Sequence, residues 1–263
     1  MSHLQYAQHA RFELKCVIDP ALVRPLRTFI RSYMEADPHA DPRNNGEYAV
    51  HSLYLDSPAM DLARSTLLGH KNRYKLRMRF YEVSPDSPVY VEIKRRVADV
   101  IVKRRACIRR GAAGRLAGGQ WPARADLWPV PNDGTDALGA LERFCALRDR
   151  IEGRPTAFVS YQREAYVAPE NPSTRITFDR RLAAHTYRRG FDDVAIAPGM
   201  RAHVGGVVLE IKFTDRFPNW MREMVEVFSL VRQPMAKYVT CVQELGLAAG
   251  PTGRVFAPRE ALR

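Results

Sequence analysis

Cysteine is scarce and scattered: Cys16, Cys107, Cys145 and Cys241 are the only four in 263 residues. No pair has CxxC spacing, which argues against a structural zinc site, and a chain of this length needs no disulfide framework. The four read as small buried hydrophobes. Long apolar runs are also missing. No window approaches the length of a membrane span, and Met1 to Lys15 lacks the apolar core of a secretory signal, so a soluble, cytoplasmic protein is expected. The histidines (His3, His9, His39, His51, His70, His185, His203) form no triad and no metal-ligand spacing. No repeat of fixed period, recognition-helix motif or basic amphipathic helix appears, which speaks against duplex nucleic acid as a partner.

Positive charge is plentiful. Lys and Arg total 41 against 29 acidic residues, a formal net charge of +12. That excess points to a polyanionic partner, which could be nucleic acid, an anionic membrane or polyphosphate. Apolar residues make up 46% of the chain, enough for a substantial core.

Period-two alternation is the dominant local pattern. Charged and apolar residues alternate in Arg11 to Cys16, Lys75 to Phe80 and Tyr90 to Lys94, each as in a strand with one buried face. Turn residues Ser84 to Pro88 separate the last two, which therefore read as antiparallel neighbours. Further strands are predicted at His51–Leu55, Ile101–Ile108, Phe158–Arg163, Arg175–Asp179 and Val207–Phe213. Helical spacing of apolar residues predicts helices over Pro20–Glu35, Asp136–Ile151 and Asn219–Val231. The Gly-, Pro- and Trp-containing stretch Gly111–Asp133 reads as a loop. Matching strand motifs lie on both sides of it, so residues 1–263 are expected to form a single α+β domain.

The polar strand faces carry long ionised side chains where a solvated face would usually include Thr, Ser and Gln. The cations are Arg11, Lys15, Lys75, Arg77, Arg79, Lys94, Lys103, Arg105, Arg163, Arg175 and Lys212; the anions are Glu13, Glu92, Asp179 and Glu210. Glu-x-Lys occurs three times, at Glu13/Lys15, Glu92/Lys94 and Glu210/Lys212, and residues two apart on a strand share a face about 7 Å apart. For any single strand, a solvated sheet face accounts for such charges. Taken together they predict a closed antiparallel β-barrel, a tunnel with flanking helices, lined by more cations than anions. Such a lining is costly unless a polyanion and metal ions complete it.

These residues resemble the triphosphate tunnel metalloenzymes, the superfamily of the CYTH-type phosphatases, and more closely the catalytic domain of the vacuolar transporter chaperone (VTC) family of polyphosphate polymerases. The resemblance runs from Phe12 to about Leu245. It rests on an ordered series: Phe12-Glu13-Leu14-Lys15, Ser52-Leu53-Tyr54-Leu55-Asp56, Lys75 to Tyr81, Val91-Glu92-Ile93-Lys94, Tyr161-Gln162-Arg163, Arg175 to Asp179, Leu209-Glu210-Ile211-Lys212 and Ala236-Lys237-Tyr238. By that similarity Lys15, Arg77, Arg79, Lys94, Arg163, Lys212 and Lys237 bind phosphates of the nucleotide and product chain, with Lys103 and Arg175 as subsidiary contacts. Tyr161 either donates a hydrogen bond beside them or is a core aromatic with a satisfied hydroxyl. Arg175 and Asp179 could equally form a structural ion pair on one face. Glu210 is the leading metal ligand, with Glu13 and Glu92 behind it, for Mn²⁺ or Mg²⁺. Arg11 stands where hydrolytic relatives begin Glu-x-Glu-x-Lys, which favours the VTC branch, and Ala236 replaces the family's Ser.

The resemblance implies transfer of the γ-phosphoryl group of ATP to a growing polyphosphate, with Arg77, Arg79, Lys212 and Glu210 as the catalytic set. The same tunnel with water as acceptor would make a triphosphate hydrolase. A non-catalytic module binding polyphosphate or RNA would also account for the charge. The chain has no room for a phosphate-sensing domain or membrane helices, so regulation or translocation is expected to come from partner proteins.

Overall fold

The computed structural model describes residues 11–98, 100–129, 136–187, 205–214, 216–233 and 235–248. The strands are β1 (Arg11–Ile18), β2 (Glu35–Ala36), β3 (Glu47–Asp56), β4 (Arg73–Phe80), β5 (Val89–Val97), β6 (Val100–Ile108), β7 (Arg154–Val167), β8 (Arg175–Thr186) and β9 (Val207–Thr214). The helices are α1 (Val23–Ile30), α2 (Asp61–Leu67), α3 (Arg110–Ala117), α4 (Ala137–Arg150), α5 (Asn219–Val227) and α6 (Lys237–Glu244). This is an α+β fold, as the alternating and helical patterns require.

The strands hydrogen-bond in the order β1-β9-β8-β7-β3-β4-β5-β6, with β2 on β7. The pairs β1/β9, β8/β9, β3/β4, β4/β5 and β5/β6 are all antiparallel. The closed barrel expected from the sequence is not formed: among the described residues β1 and β6 are the two ends of this order, each bonded on one side only. Lys103, Arg104 and Arg105 sit consecutively on β6, so strand alternation points charges from both of its faces. Long cations on an edge strand oppose addition of a further strand.

The chain divides into two compact units, each drawing on separate stretches of sequence. The first takes residues 1–48, 163–180 and 205–235. Its core is the apolar face of β1, β9 and β8 (Cys16, Leu209, Ile211, Ile176, Phe178), covered by Leu26 and Ile30 of α1 and Met221 and Met224 of α5. Burying a side chain of this size stabilises by about 1.5–3 kcal/mol. The second takes residues 49–162, 181–204 and 236–263. Leu53, Leu76, Met78, Phe80, Val91 and Ile93 of β3, β4 and β5 pack there against Leu116 of α3 and Leu141 and Phe144 of α4.

Helix α4 matches its expected span, and the Asp136 carboxylate caps it by accepting from the Gly139 amide at 2.9 Å. Helix α1 is shorter than predicted. Pro20–Leu22 forms a 3-10 turn, Pro25 lies in the first turn of α1 where its missing N–H is tolerated, and the chain leaves the helix after Ile30. Helix α5 ends at Val227 rather than Val231, just ahead of Ser229 in left-handed backbone at φ 48°.

The predicted loop 111–133 opens instead with α3, whose Ala112, Ala113, Leu116 and Ala117 are buried; residues 130–133 lie outside the described residues. Buried Arg148 of α4 donates to the carbonyls of Leu116, of Gly119 at 2.9 Å and of Gln120 at 3.0 Å. It thereby satisfies acceptors at the end of α3 that the helix leaves open. Glycine content hid this helix, because its stability comes from packing and from a distant arginine.

Candidate functional site

In the second unit, the registers of β4, β5 and β6 bring the charged positions into rows. Arg79 lies opposite Tyr90 and Cys107, Arg77 opposite Glu92 and Arg105, Lys75 opposite Lys94 and Lys103, and Arg73 opposite Arg96. This face therefore carries eight cations, at 73, 75, 77, 79, 94, 96, 103 and 105, and one carboxylate. The alternate face buries Leu76, Met78, Val91 and Ile93.

Glu92 is fully enclosed, with no exposed side-chain surface. It accepts from Arg77 Nε at 2.6 Å, and Lys103 Nζ lies at 2.5 Å and Arg105 Nε at 3.1 Å from its other oxygen. Burial alone would raise its pKa, but Arg77, Arg79 and Lys103 outweigh that and hold the carboxyl ionised well below the usual carboxylate range. Burial lowers Lys103 to about 8 even with Glu92 beside it, while Glu92 keeps Arg77 firmly protonated against its own burial. Glu92, one of the three candidate metal ligands, is thus taken up as a counter-ion.

The alternation of Ser52-Leu53-Tyr54-Leu55-Asp56 places every second residue beside these cations or behind them. Arg79 donates to Ser52 Oγ at 3.2 Å and to the Tyr161 hydroxyl at 3.1 Å, and Arg77 donates to the Tyr54 hydroxyl at 3.3 Å. Tyr161 is thus a buried aromatic whose hydroxyl is satisfied by Arg79. Tyr54 stacks on Tyr238 at 4.4 Å between ring centres, and the Tyr238 hydroxyl donates to Asp56 at 2.8 Å. Asp56 also accepts the amides of Leu62 and Ala63, fixing the start of α2. Lys237, the first residue of α6, holds its ammonium 5.1 Å from the centre of the Tyr161 ring. Arg105 lies over the Tyr90 ring at 3.8 Å. Sequence reasoning placed Arg105 on this charged face but missed Ser52, Tyr54 and Tyr90 as members of the site; period-two spacing was the available signal.

The first unit builds a different arrangement. Glu13 lies opposite Lys212 and Lys212 opposite Arg175; Lys15 lies opposite Glu210 and Glu210 opposite Thr177. Lys15 Nζ is 3.6 Å from Glu13 and 3.4 Å from Glu210, and Lys212 Nζ is 2.9 Å from Glu210 and 3.8 Å from Glu13. Burial lowers the Lys212 pKa, opposed by Glu210. Arg163 forms a fork on Asp179 and stands 3.9 Å from Glu210. Three cations (Lys15, Arg163, Lys212) thus meet three carboxylates (Glu13, Asp179, Glu210). Among the described residues, cations outnumber carboxylates on the β4–β6 face of the second unit and not in this cluster.

Arg175 departs from the ion pair with Asp179 that its spacing allowed. Its guanidinium pairs with Asp37, which also accepts the His39 amide at 2.9 Å, so Arg175 secures the loop after β2. The Arg175–Asp179 pair is not made, because Asp179 is occupied by Arg163 across β7 and β8. The side chain of Arg11 lies outside the described residues.

The other two candidate metal ligands, Glu13 and Glu210, are themselves paired with Lys15 and Lys212. Glu13 and Glu210 present hard carboxylate oxygens around the same two ammonium groups, a donor pair suited to Mg²⁺ or Mn²⁺ that shares phosphate oxygens with a substrate. Among the described residues no cluster of three or more His, Cys, Asp or Glu could hold a metal unaided. His51 is no alternative base: burial, with Arg110 nearby, lowers it to about 4, and its Nδ1 is 2.8 Å from the Ser160 hydroxyl. No helix of the described residues is long and apolar enough to cross a membrane.

A family model described as "VTC domain" matches residues 10–245. Among solved structures, the chain is similar to the PH1819 protein from Pyrococcus horikoshii OT3, at 12% identity and a TM-score of 0.44 over 89% of this chain and 99% of that one. No curated protein matches the chain.

Proposed function

The chain belongs to the VTC domain family, and from that premise we propose that it is a polyphosphate polymerase, transferring the γ-phosphoryl group of ATP to the end of an inorganic polyphosphate chain. The observation that carries this reading is the face of β4, β5 and β6, with eight cations, a single carboxylate and no apolar member among the Arg77, Glu92 and Arg105 row. A chain of phosphates is the ligand whose charge density and repeat complement such rows, since Arg offers planar forks and Lys point charges to successive oxygens.

In the reaction, a terminal oxygen of the acceptor phosphate forms a bond to the γ-phosphorus, and the bond from that phosphorus to the β–γ bridging oxygen breaks, releasing ADP. The acceptor is already anionic, so neither a nucleophilic side chain nor a general base is required; positioning and charge neutralisation suffice. On the second unit's face Arg77 and Arg79 stabilise developing charge, held in place by Glu92, Tyr54, Ser52 and Tyr161. Lys75, Lys94, Lys103 and Lys237 bind neighbouring phosphates. In the first unit Lys15, Arg163 and Lys212 are phosphate contacts, and Glu13 and Glu210 would hold Mn²⁺ or Mg²⁺. Such an ion supplies neutralisation of phosphate charge.

Incubation with ATP and Mn²⁺ or Mg²⁺, followed by a polyphosphate gel, tests the reading. A ladder that vanishes in Arg77→Ala is expected. Phosphate release without chain growth would make the protein a triphosphate hydrolase. Salt-sensitive polyphosphate binding with no turnover under any metal condition would make it a binding module.

A further inference from the structure

The first unit contains a second charged cluster, on the opposite side of its strands from Lys15, Glu210 and Lys212. Alternation along β7 and β8 puts Arg163 and Asp179 on one face and Glu164, Tyr166 and Arg180 on the other, the face that packs the core under α1. Glu164 is buried there with its side chain 4% exposed. It accepts from Arg27 Nε at 2.6 Å and Nη2 at 3.0 Å, from Arg180 Nη2 at 2.8 Å and from the Tyr166 hydroxyl at 2.7 Å. Burial would raise its pKa, but the bonds from Arg27, Tyr166 and Arg180 hold it down at about 2. Arg31 lies one helical turn beyond Arg27, and the two line one cavity. A single enclosed carboxylate thus orients two arginines, Arg27 and Arg180.

These groups border a cavity of about 410 Å³ lined by Arg27, Arg31, Asn45 and Glu47. Arg180 bonds both Glu164 and Glu47, tying the cavity wall to the buried network. Stability does not explain the arrangement, because replacing buried ion networks by apolar side chains of similar volume is commonly neutral or stabilising. Apolar neighbours were available: Ile176 and Phe178 fill the same face of β8. Two guanidiniums at the cavity wall, one of them locked through two nitrogens by a carboxylate behind it, form a preorganised fork for a tetrahedral oxyanion.

We propose that this cavity is a second anion-binding site, distinct from the charged faces assigned to the polymerase reaction, which takes a phosphate group, either free orthophosphate or the end of a short oligophosphate. Arg27 and Arg31 supply the donors. Asn45, in left-handed backbone at φ 52°, adds an amide at the rim, and Glu47 limits the bound charge by repulsion.

Calorimetric titration of the full chain with orthophosphate, and separately with pyrophosphate and tripolyphosphate, tests the site. Arg31 and Asn45 are exposed, so Arg31→Ala and Asn45→Asp are expected to keep the fold, the latter because Asp tolerates left-handed backbone. Each is expected to weaken one class of binding by about tenfold or more, since one removes a charged donor and the other adds a facing carboxylate. That class must persist in Arg77→Ala and Lys212→Ala, which disable the proposed polymerase faces. The strongest of the three titrants identifies the source, free or chain-terminal phosphate. Absence of binding by all three, or binding lost in Arg77→Ala or Lys212→Ala and unchanged in Arg31→Ala and Asn45→Asp, overturns the proposal while leaving the polymerase reading intact. A chain that makes no polyphosphate but shows Arg31-dependent binding refutes the polymerase reading alone.

Discussion

Arg163 and Asp179 face each other across β7 and β8 as a two-pronged pair, Nε donating to Oδ1 at 2.7 Å and Nη2 to Oδ2 at 2.8 Å, with the Asp179 carboxylate all but inaccessible to solvent. The pair fixes the plane of a guanidinium that also approaches Glu210. Lysine carries the same charge but cannot reproduce the fork. Arg163→Lys is therefore expected to fold and to lose about tenfold or more in polyphosphate synthesis, measured as kcat/KM for ATP. Asp179→Ala leaves the guanidinium buried without its partner and is expected to cost roughly 3–5 kcal/mol in chemical denaturation. Equal activity in Arg163→Lys and the parent would remove Arg163 from the phosphate contacts.

Glu92 separates two roles experimentally. As the counter-ion of Arg77, Lys103 and Arg105, its replacement by Gln removes the one negative charge on the β4–β6 face. Stability should fall by roughly 3–5 kcal/mol, while polyphosphate binding at fixed salt should tighten because the local positive charge rises. A metal ligand would behave otherwise, with binding weakened and the metal requirement raised.

Lys103 gives the β4–β6 face a pH dependence. Burial lowers its pKa to about 8, so its ammonium is charged below that pH and progressively neutral above it. Polyphosphate affinity is expected to drop as pH rises through about 8. Saturating ligand should move the midpoint upward, because a bound anion favours the protonated amine. Arg stays cationic throughout, so Lys103→Arg should flatten the profile. A profile unchanged by that substitution would assign the titration to another group.

Ala236 occupies the N-cap of α6 with extended backbone (φ −121°, ψ 96°) and no side-chain cap. Ala236→Ser supplies a hydroxyl able to accept one of the free amides of the first turn. The expected gain is about 1 kcal/mol, read as an upward shift of Tm. Because this turn carries Lys237, the same change should lower the KM for polyphosphate if cap and phosphate contact are coupled.

The strands were legible wherever charge alternates with an apolar residue. Glu13/Lys15, Arg77/Arg79 and Glu210/Lys212 all lie on polar faces as their spacing requires. Helix α4 was legible because its apolar stripe follows an Asp able to cap it. The α3 helix was not, since its Gly and Ala residues carry little periodic signal and its end is satisfied by Arg148, more than thirty residues beyond Gly111. Helices α2 and α6 were missed for a related reason. Asp56 and Tyr238, which anchor them to each other's surroundings, are 182 residues apart.

The pairing of charges was beyond the sequence altogether. Arg175 and Asp179 sit four apart on one strand face, and local spacing allowed their union. Their partners are Asp37 and Arg163 instead, because the reach of a long side chain depends on which strand or loop lies beside it. The amino-acid order alone determined that these faces would be ionised, since side-chain direction in a strand follows from a two-residue period in the backbone. Only the tertiary structure decided how the charges balance, leaving one unit nearly neutral around Glu13 and Glu210 and the other strongly positive around Glu92, because neutralisation depends on distances of a few ångströms between residues that chain order leaves far apart.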